Sequence, residues 1–111
     1  MSEIVSVCEN GSFRRAYAKG KSFVSPILVT YVMKNRARRI RVGITTSKKT
    51  GIAVKRNRSR RIIREAARQI MPELTGGYDL IFVARAKTPF VKSTDILCDM
   101  RKHLTQAGVL K

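Results

Sequence analysis

The sequence predicts an α+β fold, a small sheet covered by helices in the order α-β-β-α-β-α, forming a single domain over residues 1–111. Three observations carry this. A chain of 111 residues with 43% hydrophobic content is the usual size of one domain and can build one core. Residues 27–34 and 39–45 are β-branched and aromatic, or alternate apolar with polar, as strands do. A 3.6-residue apolar period then runs through Ala53–Arg68. No repeat, low-complexity segment or linker interrupts the pattern.

Taken in order, "SFRRAYAKG" reads as a short helix with Ser12 as N-cap, Phe13 and Tyr17 on one face, and Gly20 at its end. "SPILVTYVMK" gives a strand from about Ile27 to Lys34, and the polar turn "NRAR" follows. "RIRVGITTS" alternates, with Ile40, Val42 and Ile44 on one face and Arg39, Arg41, Gly43 and Thr45 on the other. These two strands are expected to form an antiparallel hairpin with one buried and one wet face. The basic loop "SKKTG" leads into a helix that runs to about Met71 and is stopped by Pro72. After the turn "TGG", "YDLIFVARA" is the third strand, and "STDILCDMRKHLTQAG" is a closing helix capped by Ser93 or Thr94 and ended by Gly108.

The charge is placed unevenly. The net charge is +17 and the pI about 11.2. From Asn10 to Arg64 there are 17 Lys+Arg and no acid, whereas the other residues hold 7 Lys+Arg against 7 Asp+Glu. A basic block of this kind implies a polyanionic partner. Apolar periodicity through the same residues argues against a disordered basic tail. It also commits the apolar face to the core, which leaves none for a membrane surface. No apolar run reaches the roughly 18 residues of a membrane span, and the N-terminus lacks the basic region of a signal peptide, so a cytoplasmic protein is expected. Cys8 and Cys98 match no metal spacing and read as reduced thiols.

The charge is densest in "AVKRNRSRRIIREAAR", where six arginines and one lysine accompany the single acid Glu65. At about 100° per residue, Ser59, Ile62, Ile63, Ala66, Ala67 and Ile70 form the buried face. Arg56, Asn57, Arg60, Arg61, Arg64 and Arg68 form a second stripe about 18 Å long. Arg58, Glu65 and Gln69 occupy the remaining flank. Like charges at this spacing repel by about 0.2–0.5 kcal/mol per pair, and the stripe has no internal acid beyond Glu65 beside Arg61 and Arg68. Arginine's planar fork suits bidentate phosphate contacts, so the stripe reads as a nucleic-acid surface. Charge alone does not choose between DNA and RNA.

The motif itself is more specific. "SKKTGIAVKRNRSRRIIREAAR" resembles the signature of the bacterial ribonuclease P protein subunit, in which a Ser-Lys-Lys loop and an Ala-Val-x-Arg-Asn-Arg stretch lead into a basic helix. Ser47, Lys48, Lys49, Gly51, Ala53, Val54, Arg56, Asn57 and Arg58 match that pattern, followed by Arg60, Arg61 and Arg64. Phe13 and Tyr17 look like the family's aromatic pair in the first helix, Tyr31 like its strand aromatic, and "YDLIFVARA" like its third strand, so the resemblance covers Ser12 to the closing helix. One departure is "EIVSVCENG", acidic and apolar where the family is usually basic.

The resemblance implies a subunit that binds ribonuclease P RNA, one protein to one RNA, and with it removes the 5′ leader of precursor tRNA. The reaction is a metal-dependent hydrolysis whose active site and Mg2+ belong to the RNA, so neither a cofactor nor a metal is expected on the polypeptide. Lys48, Lys49, Arg56, Asn57, Arg58, Arg60, Arg61, Arg64 and Arg68 are the residues expected to meet the catalytic RNA. Phe13, Tyr17 and Tyr31, beside Arg14, Arg39 and Arg41, would hold the single-stranded leader by stacking unless these aromatics belong to the core. The family fold also implies a left-handed βαβ crossover around the basic helix, against the general right-handed rule.

The residues themselves favour no protein-borne chemistry. His103 has no obvious acid–base partner, Asp95 and Asp99 are an i,i+4 pair of the ordinary solvated kind, and no phosphate-binding glycine loop, Ser/His/Asp set or CxxC pair occurs. A stand-alone ribonuclease is therefore disfavoured. A DNA-binding protein, or a non-catalytic RNA-binding protein of ribosomal type, fits the charge but not the Arg-Asn-Arg signature.

Overall fold

The computed structural model describes residues 3–6 (backbone only), 21–34, 40–46, 51–74 and 76–110. The expected first helix, with Phe13, Arg14 and Tyr17, lies outside them, as do Arg39, Lys48, Lys49 and Cys8.

Five strands are described: β1 (Glu3–Ser6), β2 (Lys21–Val24), β3 (Leu28–Lys34), β4 (Arg41–Thr45) and β5 (Tyr78–Ala84). Two α-helices accompany them, α1 (Ala53–Ile70) and α2 (Ser93–Ala107), with single 3-10 turns at Met71–Glu73 and Thr88–Phe90. The sheet order is β1-β4-β5-β3-β2. β5 is antiparallel to β3 and parallel to β4, β1 is parallel to β4, and β2 is antiparallel to β3.

The expected hairpin of β3 with β4 is therefore corrected: β5 lies between them. The reason is in β5 itself, where consecutive Leu80, Ile81 and Phe82 are all fully buried. A strand apolar on both faces is stable only at the centre of a sheet, with a neighbour on each side. Because β4 and β5 are parallel, the chain must cross over between them, and α1 is that crossover. The sequence reading also omitted β1 and β2, two four-residue edge strands. The signal for β2 was the Ser25-Pro26 turn after it, in which the Ser25 hydroxyl accepts the Leu28 N–H at 3.1 Å.

One core occupies the helix-covered face. Leu28, Val32, Val42, Ile44, Leu80 and Phe82 of the sheet meet Ile63, Ala66, Ala67 and Ile70 of α1 and Ile96, Met100 and Leu104 of α2. A smaller cluster on the opposite face gathers Tyr31, Met33 and Val83 around buried Ile81.

The helix ends follow local chemistry. α1 ends at Ile70 and tightens into the turn containing Pro72. α2 starts one residue earlier than its expected caps: Lys92 holds the cap position, and its N–H donates to the Asp95 carboxylate at 3.1 Å. Gly108 closes α2 in the left-handed conformation, φ 76°.

His103 ties α2 to the sheet. Its Nδ1 lies 2.8 Å from the Thr30 hydroxyl in the buried interior, and its ring stacks on Phe23 at 6.1 Å. Either neutral tautomer closes the bond, one accepting from the hydroxyl and the other donating to it. Burial pushes the imidazole below its ordinary pKa, against a smaller opposing pull from Asp99. Below the ordinary value the unfolded chain binds a proton that the folded chain refuses, so acidification through this window costs stability. The thermal midpoint is expected to fall from about pH 7.5 to about pH 5.5, and His103→Gln is expected to flatten that part of the profile. Parallel profiles for the two proteins in a melting series would remove His103 as the cause.

Candidate nucleic-acid interface

The stripe on α1 is positioned by the burial of the opposite side of the helix. Ser59, Ile63, Ala66, Ala67 and Ile70 are buried as expected and Ile62 is half-buried, which turns Asn57, Arg58, Arg61 and Arg68 fully outward. Arg56, Arg60 and Arg64 are partly covered. The Ser59 hydroxyl donates back to the Lys55 carbonyl at 2.9 Å, which satisfies the one polar side chain on the buried face.

The electrostatics of α1 are unfavourable for the protein alone. Its N-cap, Ile52, offers no side-chain cap, and the first turn holds no acid but does hold Lys55 and Arg56, cations at the positive end of the helix dipole. Glu65 does not pair with Arg61 or Arg68; its carboxylate is met by Gln69 Nε2 at 3.5 Å, the edge of hydrogen-bonding distance. The Arg60 guanidinium donates to Asn57 Oδ1 at 2.6 Å, so two residues of the expected stripe brace each other. Arg56 Nε is buried without a hydrogen-bond partner. Among the described residues the ion pairs Arg41–Asp79 and Arg101–Glu73 lie away from this helix. The hydrogen bond from Arg101 holds the Glu73 carboxyl below its usual range.

Of the six residues expected at the leader, the described ones are Tyr31 and Arg41. Tyr31 lines a groove of about 860 Å³ on the sheet face opposite α1, together with Val24, Val29 and Val83. Arg41 shares that sheet face, but its guanidinium holds Asp79: Nε meets Oδ1 and Nη2 meets Oδ2, both at 2.8 Å. With Asp79 only 1% exposed and Arg41 27% exposed, this fork–fork pair is part of the fold and holds the guanidinium at the sheet surface. The sequence reading missed Arg85 and Lys87, which stand at the rim of the groove. The available signal was the basic "RAK" directly after the third strand.

Catalytic groups do not gather here. Among the described residues no three of His, Cys, Asp and Glu come together as a metal site. Asp95 caps α2, His103 is spent on Thr30, and Cys98 is an exposed thiol. No helix among the described residues is long and apolar enough to cross a membrane.

A family model described as Ribonuclease P matches residues 1–108. The chain belongs to the ribonuclease P protein family. A family protein of Clostridioides difficile is 44% identical over 89 residues, covering 79% of this chain and 78% of that protein. One of Clostridium kluyveri is 35% identical over 111 residues, covering 98% and 99%. The solved ribonuclease P protein of Staphylococcus aureus superposes with a TM-score of 0.80 at 31% identity, covering 96% of this chain and 97% of that one. The α+β fold and the arginine helix thus belong to the protein component of a ribonucleoprotein endoribonuclease that processes tRNA, whose RNA is the partner that family membership implies.

Proposed function

We propose that the protein binds ribonuclease P RNA through α1, one protein to one RNA, in the cytoplasm, and that the groove at Tyr31 takes the 5′ leader of precursor tRNA. The observation that carries this reading is the stripe itself, an arginine face on a helix with no acid in its first turn and with Glu65 bonded to Gln69, inside the Ser-Lys-Lys and Arg-Asn-Arg pattern of the family. Phosphates would neutralise that face in forked hydrogen bonds. The groove suits a single strand: an aromatic and apolar floor stacks bases, and Arg85 and Lys87 at the rim meet the backbone. Hydrolysis and its Mg2+ are assigned to the RNA, with the protein raising affinity for the substrate. The crossover around α1 is taken to be left-handed, as in the family.

The test is cleavage of a leader-bearing precursor tRNA by bacterial ribonuclease P RNA at low magnesium, with and without the protein. Cleavage at the mature 5′ end only with both present is expected. Cleavage by protein alone would place an active site in the polypeptide. Tight RNA binding without stimulation would favour a structural protein of ribosomal type. Tyr31→Ala is expected to weaken precursor tRNA about tenfold while leaving mature tRNA nearly unchanged, as judged by binding to the assembled complex. Equal losses for both tRNAs would remove the leader from this groove.

A further inference from the structure

Phe90 is 70% exposed at the end of the turn joining β5 to α2. The turn that carries it is fixed. The Thr88 hydroxyl accepts the Arg85 N–H and donates to the Ile27 carbonyl, both at 2.7 Å, and the Phe90 N–H donates to the Lys87 carbonyl at 3.1 Å. An exposed phenylalanine on an anchored turn is a ring held out to solvent at a hydrophobic cost.

A cation is held against it. Lys55 Nζ lies 5.1 Å from the ring centroid, within cation–π range. The stem of Lys55 passes Gly51, where a Cβ would come within 3.0 Å of Lys55 Cδ; the φ of +123° at Gly51 also excludes ordinary side chains. Following Phe90 in the chain, Val91–Thr94 line an open cavity of about 660 Å³ together with the α1 residues Arg58, Arg61, Ile62 and Glu65. Arg58, Arg61 and Lys92 set three positive charges around it against the one carboxylate of Glu65.

We propose that Phe90, Lys55 and this cavity form a nucleotide site, which takes one unpaired base of the RNA bound along α1 and stacks it on the Phe90 ring, with the adjoining phosphate among Arg58, Arg61 and Lys92. The inference rests on the RNA-binding reading above and extends that interface around the flank of α1 to its junction with α2. Charge selects the occupant. An apolar protein surface seated on Phe90 would have to desolvate Lys55, Arg58, Arg61 and Lys92 together, whereas a phosphate neutralises them as the base covers the ring. Phenylalanine offers a stacking face and no hydrogen bonds, so the site is tolerant of base identity.

The chain contains no tryptophan, so Phe90→Trp supplies a single reporter. Its emission is expected to be quenched as a bacterial ribonuclease P RNA is titrated into the full-length protein. Phe90→Ala and Phe90→Leu are each expected to weaken that RNA by about 5- to 150-fold, with Phe90→Tyr close to wild type. Lys92→Gln is expected to reduce the salt dependence of binding by about one unit of log–log slope. Full affinity in Phe90→Leu would mean apolar contact, not stacking, and would overturn the site. Unchanged tryptophan emission would do the same, even while wild type binds the RNA and stripe variants do not. A wild-type protein that fails to bind the RNA at all would overturn the RNA-binding reading as well. Capture of an acidic protein through Phe90, with RNA affinity unaffected by its loss, would give the patch to a protein partner.

Discussion

Arg41→Ala is expected to lower the free energy of unfolding by about 3 kcal/mol, because it leaves the Asp79 carboxylate, 1% exposed, without its forked partner. In a domain of this size that is a fall of roughly 15 °C in the thermal midpoint. Removing one member of a buried pair leaves a charge that water cannot reach, and that penalty exceeds what the intact pair contributes. Asp79→Asn should cost less, since the amide oxygen still accepts from Arg41 and no anion stays buried. Replacing both residues with apolar ones of similar volume should recover much of the loss. Thermal melts of the three variants test the assignment. If Arg41→Ala melts like wild type but binds precursor tRNA poorly, Arg41 serves the leader groove and its pairing with Asp79 is incidental.

Arg56, Arg60 and Arg64 replaced together by alanine should weaken ribonuclease P RNA by about 100-fold at moderate salt, and reduce the slope of log affinity against log salt by roughly three. Each arginine that neutralises a phosphate releases about one counterion, so the slope counts contacts independently of absolute affinity. The fold should survive. These side chains border the buried face of Ile63, Ala66, Ala67 and Ile70 and are only partly covered, and the substitution to the best helix former relieves like-charge repulsion along α1. A variant as stable as wild type with a much lower slope, measured by filter binding across a salt series, is the expected pair of results. An unchanged slope would mean that the stripe is only solvated and that the RNA is met elsewhere.

How much of this was legible in the sequence depends on how local each feature is. α1 and its faces were read correctly because an 18-residue helix repeats its period five times, and Pro72 marks its end. The closing helix was legible for the same reason, its cap less so: a backbone N–H met by Asp95 is as good a cap as a serine hydroxyl, and sequence does not rank them. β3 and β4 were found as strands and mispaired. Their alternation states which side of each strand is apolar, yet β5 competes for the same edges and wins because both of its faces must be covered. The four-residue β1 and β2 are too short to show a period and exist through their neighbours.

The sequence by itself determined the composition of the arginine face proposed to meet RNA: a run of arginines at helical spacing. Spacing along one helix fixes which side chains share a face, and no other part of the chain can alter it. Only the tertiary structure decided what each charge is used for. Arg41 and Asp79 lie 38 residues apart and meet because β4 and β5 are paired in register, which joins a partly exposed guanidinium to a buried carboxylate. Lys55 and Phe90 meet only where α1 packs against the turn before α2. Periodicity reports where an apolar or charged face points. What that face touches is settled by competition among distant segments for the same buried surface, and that contest exists only in the folded chain.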